Sequence, residues 1–183
     1  MEEIMELAKM GMDAAIEHLQ QELVKVRTGK ASAAMLGGIV VSYYGSPTPL
    51  NQVSNISASD SRTLNIQPWE KNMLGPIEKA IFEANLGITP QNNGEMVILN
   101  IPPLTEERRR ELVKKSKSLA EDSKVGVRQA RREAIDEIKK EVKNGYPEDA
   151  GKKKEDEIQD LTNKYTNKID EMVKAKEADI MKI

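Results

Sequence analysis

One uninterrupted stretch, Thr105–Gly145, limits most strongly what this chain can fold into. It contains no proline and a single interior glycine, Gly126. Thr105 can cap the start of a helix, and Gly145 followed by Pro147 can end it. About 40 residues at 1.5 Å per residue give a rod of roughly 60 Å, which is long for a globular protein. A helix of this length needs partner helices to cover its apolar face.

Apolar and small side chains recur along this stretch at steps of three and four, which predicts a narrow seam on one side of the helix. The seam residues are Leu112, Ser116, Leu119, Ser123, Val127, Ala130, Ala134 and Ile138. Two further stretches have matching seams: Met1 to about Arg27, and Lys152–Ile183 after a short predicted loop over Tyr146–Gly151. Because none of the three seams can be buried alone, we expect a three-helix bundle.

Basic side chains cluster on another arc of the central helix. They are Arg110, Lys114, Lys117, Lys124, Arg128, Arg131, Arg132, Lys139 and Lys143. A solvated face with ion pairs to residues one turn away is one interpretation, since long helices often have such faces. The sorting of charge to one side favours binding. So does the cluster of Arg128, Arg131 and Arg132, whose guanidinium groups project together and suit phosphate recognition.

The residues between the first two long helices have a different composition. Seven of the eight prolines lie within residues 30–104. We predict strands over Ile39–Tyr44, Val53–Ser57, Thr63–Gln67 and Met96–Ile101, a short helix over Gly75–Leu86, and turns over Gly45–Pro49 and Gln91–Gly94. Tyr43, Tyr44 and Trp69 form the one aromatic group, and packing in a small core is favoured over stacking on bases.

These patterns predict an α+β fold, in which a small β/α/β domain (residues 30–104) is inserted into a discontinuous three-helix bundle (residues 1–29 and 105–183). We expect an elongated, two-lobed, L-shaped molecule with hinges near residues 28–31 and 101–104. The hinge residues are Thr28, Gly29, Lys30, Ile101, Pro102, Pro103 and Leu104.

Composition limits the classes of function that this chain can have. The net charge of −2 means that nucleic-acid binding must come from a local patch. No cysteine is present, no apolar run reaches a membrane-spanning length, and the N-terminus resembles no targeting peptide. The single histidine, His18, fits a polar surface position better than a metal site, and Gly29–Ser32 departs from the phosphate-loop pattern. We expect a cytoplasmic monomer without catalytic residues, metal, cofactor or membrane contact.

Five motifs occur in order along the chain: Arg27–Ala31, Tyr43–Leu50, Ser61–Leu64, Pro102–Arg109 and Val127–Arg132. Together, over essentially the whole chain, they resemble the bacterial ribosome recycling factors. The resemblance implies a three-helix bundle with a hinged β/α/β domain. It also implies binding to the post-termination ribosome, across the peptidyl-transferase region of the large-subunit rRNA. With elongation factor G and its GTP hydrolysis, such a factor splits the subunits and releases mRNA and deacylated tRNA.

The resemblance also assigns residues. Arg131 matches the family's ribosome-binding arginine, with Arg128 and Arg132 in the same motif and Lys124 and Arg110 on the same stripe. Arg27 and Lys30 match a second rRNA-contacting motif, where lysine keeps the charge of an arginine but loses its bidentate fork. Ile98 stands where many relatives have a basic residue. Two other classes stay open: a helical adaptor that binds only proteins, which salt-insensitive binding would indicate, and an enzyme, which nucleotide turnover would reveal.

Overall fold

The computed structural model describes residues 1–182, which divide into two compact units. The helical unit contains Met1–Val26 and the chain from Arg109 onward, and the small unit contains Arg27–Arg108. The α-helices of the described chain are α1 (Glu2–Lys25), α2 (Leu50–Val53), α3 (Leu74–Glu83), α4 (Glu106–Lys143) and α5 (Glu148–Met181). Its strands are β1 (Val40–Tyr43), β2 (Ser46–Pro49), β3 (Ser54–Asp60), β4 (Thr63–Pro68), β5 (Pro90–Asn92) and β6 (Val97–Asn100).

The long helices α1, α4 and α5 pack along the seams that their sequences predict. Their shared core includes Met12, Leu19, Val127 and Ile169, all nearly or completely buried. The two serines in the α4 seam have hydrogen-bond partners, as buried polar groups require. The buried Ser116 hydroxyl donates to the Leu112 carbonyl, and the Ser123 hydroxyl donates across to the Ala15 carbonyl of α1. The seam of α4 differs from the prediction at one step, where Ala120 is buried and Leu119 is half-buried.

Helix α4 begins as predicted. The Thr105 hydroxyl accepts a hydrogen bond from the Arg108 backbone N–H at 3.1 Å, which is the capping contact expected of a threonine at this position. Glu106 and Glu107 lie in the first turn, where acidic side chains favour the positive end of the helix dipole.

Helix α1 ends at Lys25, two residues before the predicted end. The next residue, Val26, is extended and buried. The side chain of Arg27 then turns to the Pro102 carbonyl.

The predicted loop over Tyr146–Gly151 is wrong in its last four residues, because α5 already begins at Glu148. Gly151, the last residue of the predicted loop, is a buried helical residue. A Cβ atom built on Gly151 would lie 2.5 Å from Cγ2 of Val142 in α4. Glycine is therefore used here for a close approach of two helices, which sequence composition alone does not distinguish from a turn.

The small unit contains two antiparallel sheets, a β1–β2 pair and a four-stranded sheet in the order β3-β4-β6-β5. Helix α3 packs on this unit through Leu74, Ile77 and Ile81. Leu64, Ile66, Val97 and Leu99 of the inner strands complete a core that is separate from that of the helical unit.

Three elements of the small unit differ from the prediction. Ser46–Pro49 is a strand instead of a turn, and its prolines are tolerated because β2 is half of a two-stranded sheet and pairs only with β1. Val53, the last residue of α2, falls in a predicted strand, and the other residues of α2 and Pro90 of β5 fall in no predicted element, since such short segments have no measurable periodicity. The turn predicted over Gln91–Gly94 lies later, because Gln91 and Asn92 pair with β6.

The aromatic group does not form a core as predicted. Tyr43 is half-buried against the small-unit core, but Tyr44 is 74% exposed and Trp69 is 69% exposed. Both follow directly on the last residue of a strand, where the alternation between core and solvent gives no guide to burial.

The structure confirms the predicted fold class, since three long helices and a small mixed helix-and-sheet region make up one chain. No helix within residues 1–182 is long and apolar enough to cross a bilayer.

Candidate nucleic-acid interface

The basic stripe lies on the arc of α4 next to its buried seam, and Arg131 and Lys124 lie at the edge that meets α5. Arg128 and Arg132 are exposed and take part in no salt bridge among the described residues, whereas Arg131 between them is half-buried. Arg110 is exposed near the other end of the helix and interacts within the chain. The helix period brings the three central arginines together, as the sequence predicted.

Arg131 is held in place by the neighbouring helix. Its Nε–H donates to Oε1 of Gln159 on α5 at 2.7 Å, and the Gln159 amide in turn donates to Oδ1 of Asn163 at 3.0 Å. Because this contact uses Nε, the two Nη nitrogens keep their donors for a ligand. The side chain is thus oriented before binding, which lowers the entropy lost when a phosphate is engaged.

Lys124 lies on the same stripe, but its ammonium group is paired with carboxylates within the protein. Its side chain is only 18% exposed, and its Nζ lies 2.7 Å from Oδ1 of Asp170 on α5 and 3.8 Å from Oε1 of Glu121. The ammonium therefore links α4 to α5, and a phosphate would have to compete with two carboxylates for it.

The two candidates at the start of the small unit also differ from each other. Arg27 is half-buried, and its Nη2 donates to the Pro102 carbonyl at 3.2 Å. Burial, followed by the nearby Arg108 charge, lowers the pKa of Arg27 below its ordinary value. Lys30, in contrast, is exposed. Arg27 thus acts as a bridge between the two connecting segments, whereas Lys30 is accessible to a ligand.

One residue of each predicted hinge range donates a backbone hydrogen bond to the same turn of the small unit. The Ala31 N–H donates to the Ser61 carbonyl and the Ile101 N–H donates to the Arg62 carbonyl, each at 2.7 Å. Gly29 has a φ of +79°, and a Cβ built on it would lie 3.4 Å from the Leu104 side chain. Ile101 and Leu104 are buried, Thr28 is half-buried, and Pro102 and Pro103 are exposed.

Three residues that hold other side chains in place were missed by sequence reasoning: Gln159 holds Arg131, Asp170 holds Lys124, and Glu70 holds Tyr43 and Tyr44. Gln159 and Asp170 lie on the polar side of α5, and nothing in their own segment distinguishes them from other surface residues. Glu70, which accepts hydrogen bonds from two tyrosines, lies 26 residues after the nearer one. The signal for each residue lies in the partner element and not in local periodicity.

No group of three or more histidine, cysteine, aspartate or glutamate side chains within residues 1–182 is arranged to hold a metal ion. His18 is exposed on α1, as its sequence context suggested.

Known proteins resemble the chain over nearly its full length. The family model for ribosome recycling factor matches residues 19–181. The ribosome-recycling factor of Flavobacterium johnsoniae is 56% identical over 180 residues, covering 98% of this chain and 96% of that protein. The factor of Porphyromonas gingivalis is 52% identical over 182 residues, covering 99% and 98%.

Solved structures give the same result. A solution structure of a ribosome recycling factor superposes with a TM-score of 0.83 at 40% identity, covering 100% of this chain and 97% of that one. A second match, with a TM-score of 0.68 and 41% identity, covers 99% of this chain and 98% of the other. It comes from models of the T. thermophilus ribosome recycling factor and the E. coli elongation factor G bound to the E. coli post-termination complex. This chain therefore belongs to the ribosome recycling factor family.

Proposed function

We propose that this protein binds the post-termination ribosome and, together with elongation factor G and GTP hydrolysis by that factor, splits the subunits and releases mRNA and deacylated tRNA. The observation that carries the proposal is the match to the recycling-factor family over residues 19–181. The relative placed with elongation factor G on a post-termination complex supports the choice of partners.

The α4 stripe supplies the proposed RNA contact. Arg128 and Arg132 present exposed guanidinium groups on a rigid helix, and Gln159 orients Arg131 between them. Guanidinium forks match phosphate oxygens, so these side chains suit the backbone of large-subunit rRNA near the peptidyl-transferase region. Lys30 and Arg110 are further candidates. Lys124 and Arg27 support the proposal less, since their donors are engaged within the protein.

We infer that the protein works as a monomer in the cytoplasm and makes or breaks no covalent bond itself. In this proposal, binding energy comes from the stripe and mechanical work comes from elongation factor G. A long three-helix scaffold suits this role, because rods packed along continuous seams transmit load from one end to the other.

The connecting segments are the proposed hinge. Arg27 on one segment donates to the Pro102 carbonyl of the other, and the Ala31 and Ile101 N–H groups donate to the Ser61 and Arg62 carbonyls of one turn. Because these ties lie within residues 27–108, both segments would move with the small unit. Bending is then expected at their helical ends, beside Val26 and Arg108. Stiffening there should impair splitting more than ribosome binding.

A subunit-splitting assay tests the function. Purified protein is added to post-termination ribosomes with or without elongation factor G and GTP, and subunits are separated on a sucrose gradient. We expect subunits only when both factors and GTP are present. Ribosome binding should also weaken as salt rises, because phosphate contacts release counterions. Intact ribosomes in the complete reaction would disprove the proposal, and binding that is indifferent to salt would favour a protein-only adaptor.

A further inference from the structure

The tip of the β1–β2 hairpin holds a tyrosine in an unusual conformation. Tyr43 pairs with Ser46, so the loop between them is the dipeptide Tyr44-Gly45. Tyr44 has a φ of +48° and Gly45 a φ of +80°, which is the pattern of a type I′ turn. Asparagine is the residue that usually occupies the first position of this turn, because a bulky side chain is disfavoured at positive φ. Strain of this kind is a reason to search for a function at the residue.

The strained backbone brings two tyrosine hydroxyls to one carboxylate. Tyr43 donates to Oε1 of Glu70 at 3.1 Å, and Tyr44 donates to Oε2 at 2.9 Å. The two rings meet edge to face, with centroids 4.6 Å apart and an interplanar angle of 74°. These three residues are called the Tyr–Glu cluster below. It joins a hairpin to a segment 26 residues later, so its geometry is set by tertiary structure.

The carboxylate of the Tyr–Glu cluster has no cation of its own. Glu70 is half-buried and makes no salt bridge within the part of the chain that the structure describes. An ionised carboxylate offers about four lone-pair positions, and the two tyrosines use two of them. A half-buried charge with unused acceptors is suited to an external cation.

The surroundings of the cluster are aromatic and exposed. Tyr44 is 74% exposed, and Trp69, which directly precedes Glu70, is 69% exposed. The whole chain has one tryptophan and four tyrosines. Of these five, Tyr44 donates to the Glu70 carboxylate, and Trp69 is the residue before Glu70 in the sequence. Exposed tyrosine and tryptophan are enriched where proteins bind each other.

We propose that the Tyr–Glu cluster is a docking site for an arginine side chain of elongation factor G. A guanidinium group can donate two parallel hydrogen bonds to the carboxylate while its plane lies against an aromatic ring. The identity of the partner rests on the proposed function, in which elongation factor G is the protein that acts with this one on the ribosome.

The charge of the region argues against an RNA partner at the cluster. Residues 30–104 contain four basic and five acidic side chains: Lys30, Arg62, Lys71 and Lys79 against Asp60, Glu70, Glu78, Glu83 and Glu95. A carboxylate in a weakly acidic domain repels phosphate and attracts cationic protein side chains. The α4 stripe has the opposite character, so the two sites suit different partners.

Two substitutions separate docking from folding. Glu70→Gln removes the charge but keeps the shape of the side chain, and its amide oxygen can accept from one tyrosine hydroxyl while its NH2 group donates to the other. Tyr44→Asn replaces a disfavoured residue by a favoured one in the turn, so the variant should unfold at an unchanged or higher temperature. Phe82→Ala is the matched control, since Phe82 is a 72% exposed aromatic residue on α3.

The readout is subunit splitting at increasing concentrations of elongation factor G. We expect Glu70→Gln and Tyr44→Asn to raise the half-maximal concentration about 10-fold, in line with one lost charged contact, and Phe82→Ala to leave it unchanged. Ribosome co-sedimentation without elongation factor G should match wild type for all three variants.

Two results would overturn the inference. Wild-type splitting curves for both cluster variants would show that the cluster only braces the hairpin. Weakened co-sedimentation without elongation factor G would place the cluster against the ribosome itself. Failure of the proposed function is distinct from either result, because the wild-type protein would then fail to split ribosomes.

Discussion

The helical unit and the small unit present charge in opposite ways. In the helical unit, cations gather on one helix by simple periodicity, and the neighbouring helix decides which are available: Gln159 orients Arg131, while Asp170 engages Lys124. In the small unit, a carboxylate is assembled with two tyrosines from a distant hairpin. A periodic surface suits a long repetitive ligand such as an RNA backbone, whereas an assembled cluster suits one side chain of a protein.

The first way to test this contrast is to remove the central cation of the periodic surface. Arg131→Ala should weaken large-subunit binding by about 1.5–3 kcal/mol, or about 10- to 150-fold, because a charged hydrogen bond to phosphate is lost. Filter binding or co-sedimentation at fixed salt measures the change. Wild-type affinity would remove Arg131 from the interface.

Two controls sharpen the result. Gln159→Ala keeps the charge of Arg131 but removes the hydrogen bond that orients it. We therefore expect a smaller loss of affinity than for Arg131→Ala, and no change in how steeply binding weakens with salt. Arg132→Ala should reduce the salt slope by about one, as loss of one phosphate contact does. If Gln159→Ala matched Arg131→Ala, orientation by α5 would account for the whole effect.

Packing offers a second contrast, between two helical glycines. Gly151→Ala should lower the free energy of unfolding of the helical unit by about 1–3 kcal/mol, because the new methyl would meet Val142 at 2.5 Å. Gly75→Ala in α3 of the small unit should change stability by less than about 1 kcal/mol, since no atom beyond its chain neighbours lies within 4 Å and the helix preference of alanine opposes the crowding of its Cβ by Pro76. Urea unfolding measures both changes. A stable Gly151→Ala protein would show that α4 and α5 separate easily.

The smallest expected effect concerns pH. Burial, and then the hydrogen bond to Asp13, raise the pKa of Tyr165 to about 12, above the ordinary value near 10. The folded state therefore holds this proton more tightly, so the stabilisation is complete below about pH 10 and is lost as pH rises towards 12. Tyr165→Phe should flatten the fall in unfolding temperature over this range. An equal fall in both proteins would contradict the assignment.

Tyr43 allows the same pH test in the small unit. The hydrogen bond to Glu70, followed by burial, raises the pKa of Tyr43. Tyr43→Phe should therefore change alkaline stability in the same direction as Tyr165→Phe.

Much of the helical unit could be predicted from sequence because each helix contains its own signals. The Thr105 cap, the seam and the basic stripe all follow from spacing within one segment. The prediction failed at Gly151 because a glycine in a turn and a glycine at a helix contact have the same local sequence. The small unit was predicted less completely, since β2 and β5 depend on pairing with strands elsewhere in the chain.

The candidate sites follow the same division. Arg128, Arg131 and Arg132 could be grouped from sequence, because residues three and four apart share one face of a helix. Tyr44 and Trp69 were expected in a core and are exposed, because the alternation that predicts burial ends with the strand.

By itself, the sequence determined the three long helices, their seams, the clustering of cations on α4 and the family. Only the tertiary structure decided which cations remain available and that Glu70 meets Tyr43 and Tyr44. The physical reason is the separation along the chain over which each interaction acts. Helix periodicity and capping act over three or four residues, whereas a hydrogen bond between elements depends on packing that brings distant segments to within about 3 Å.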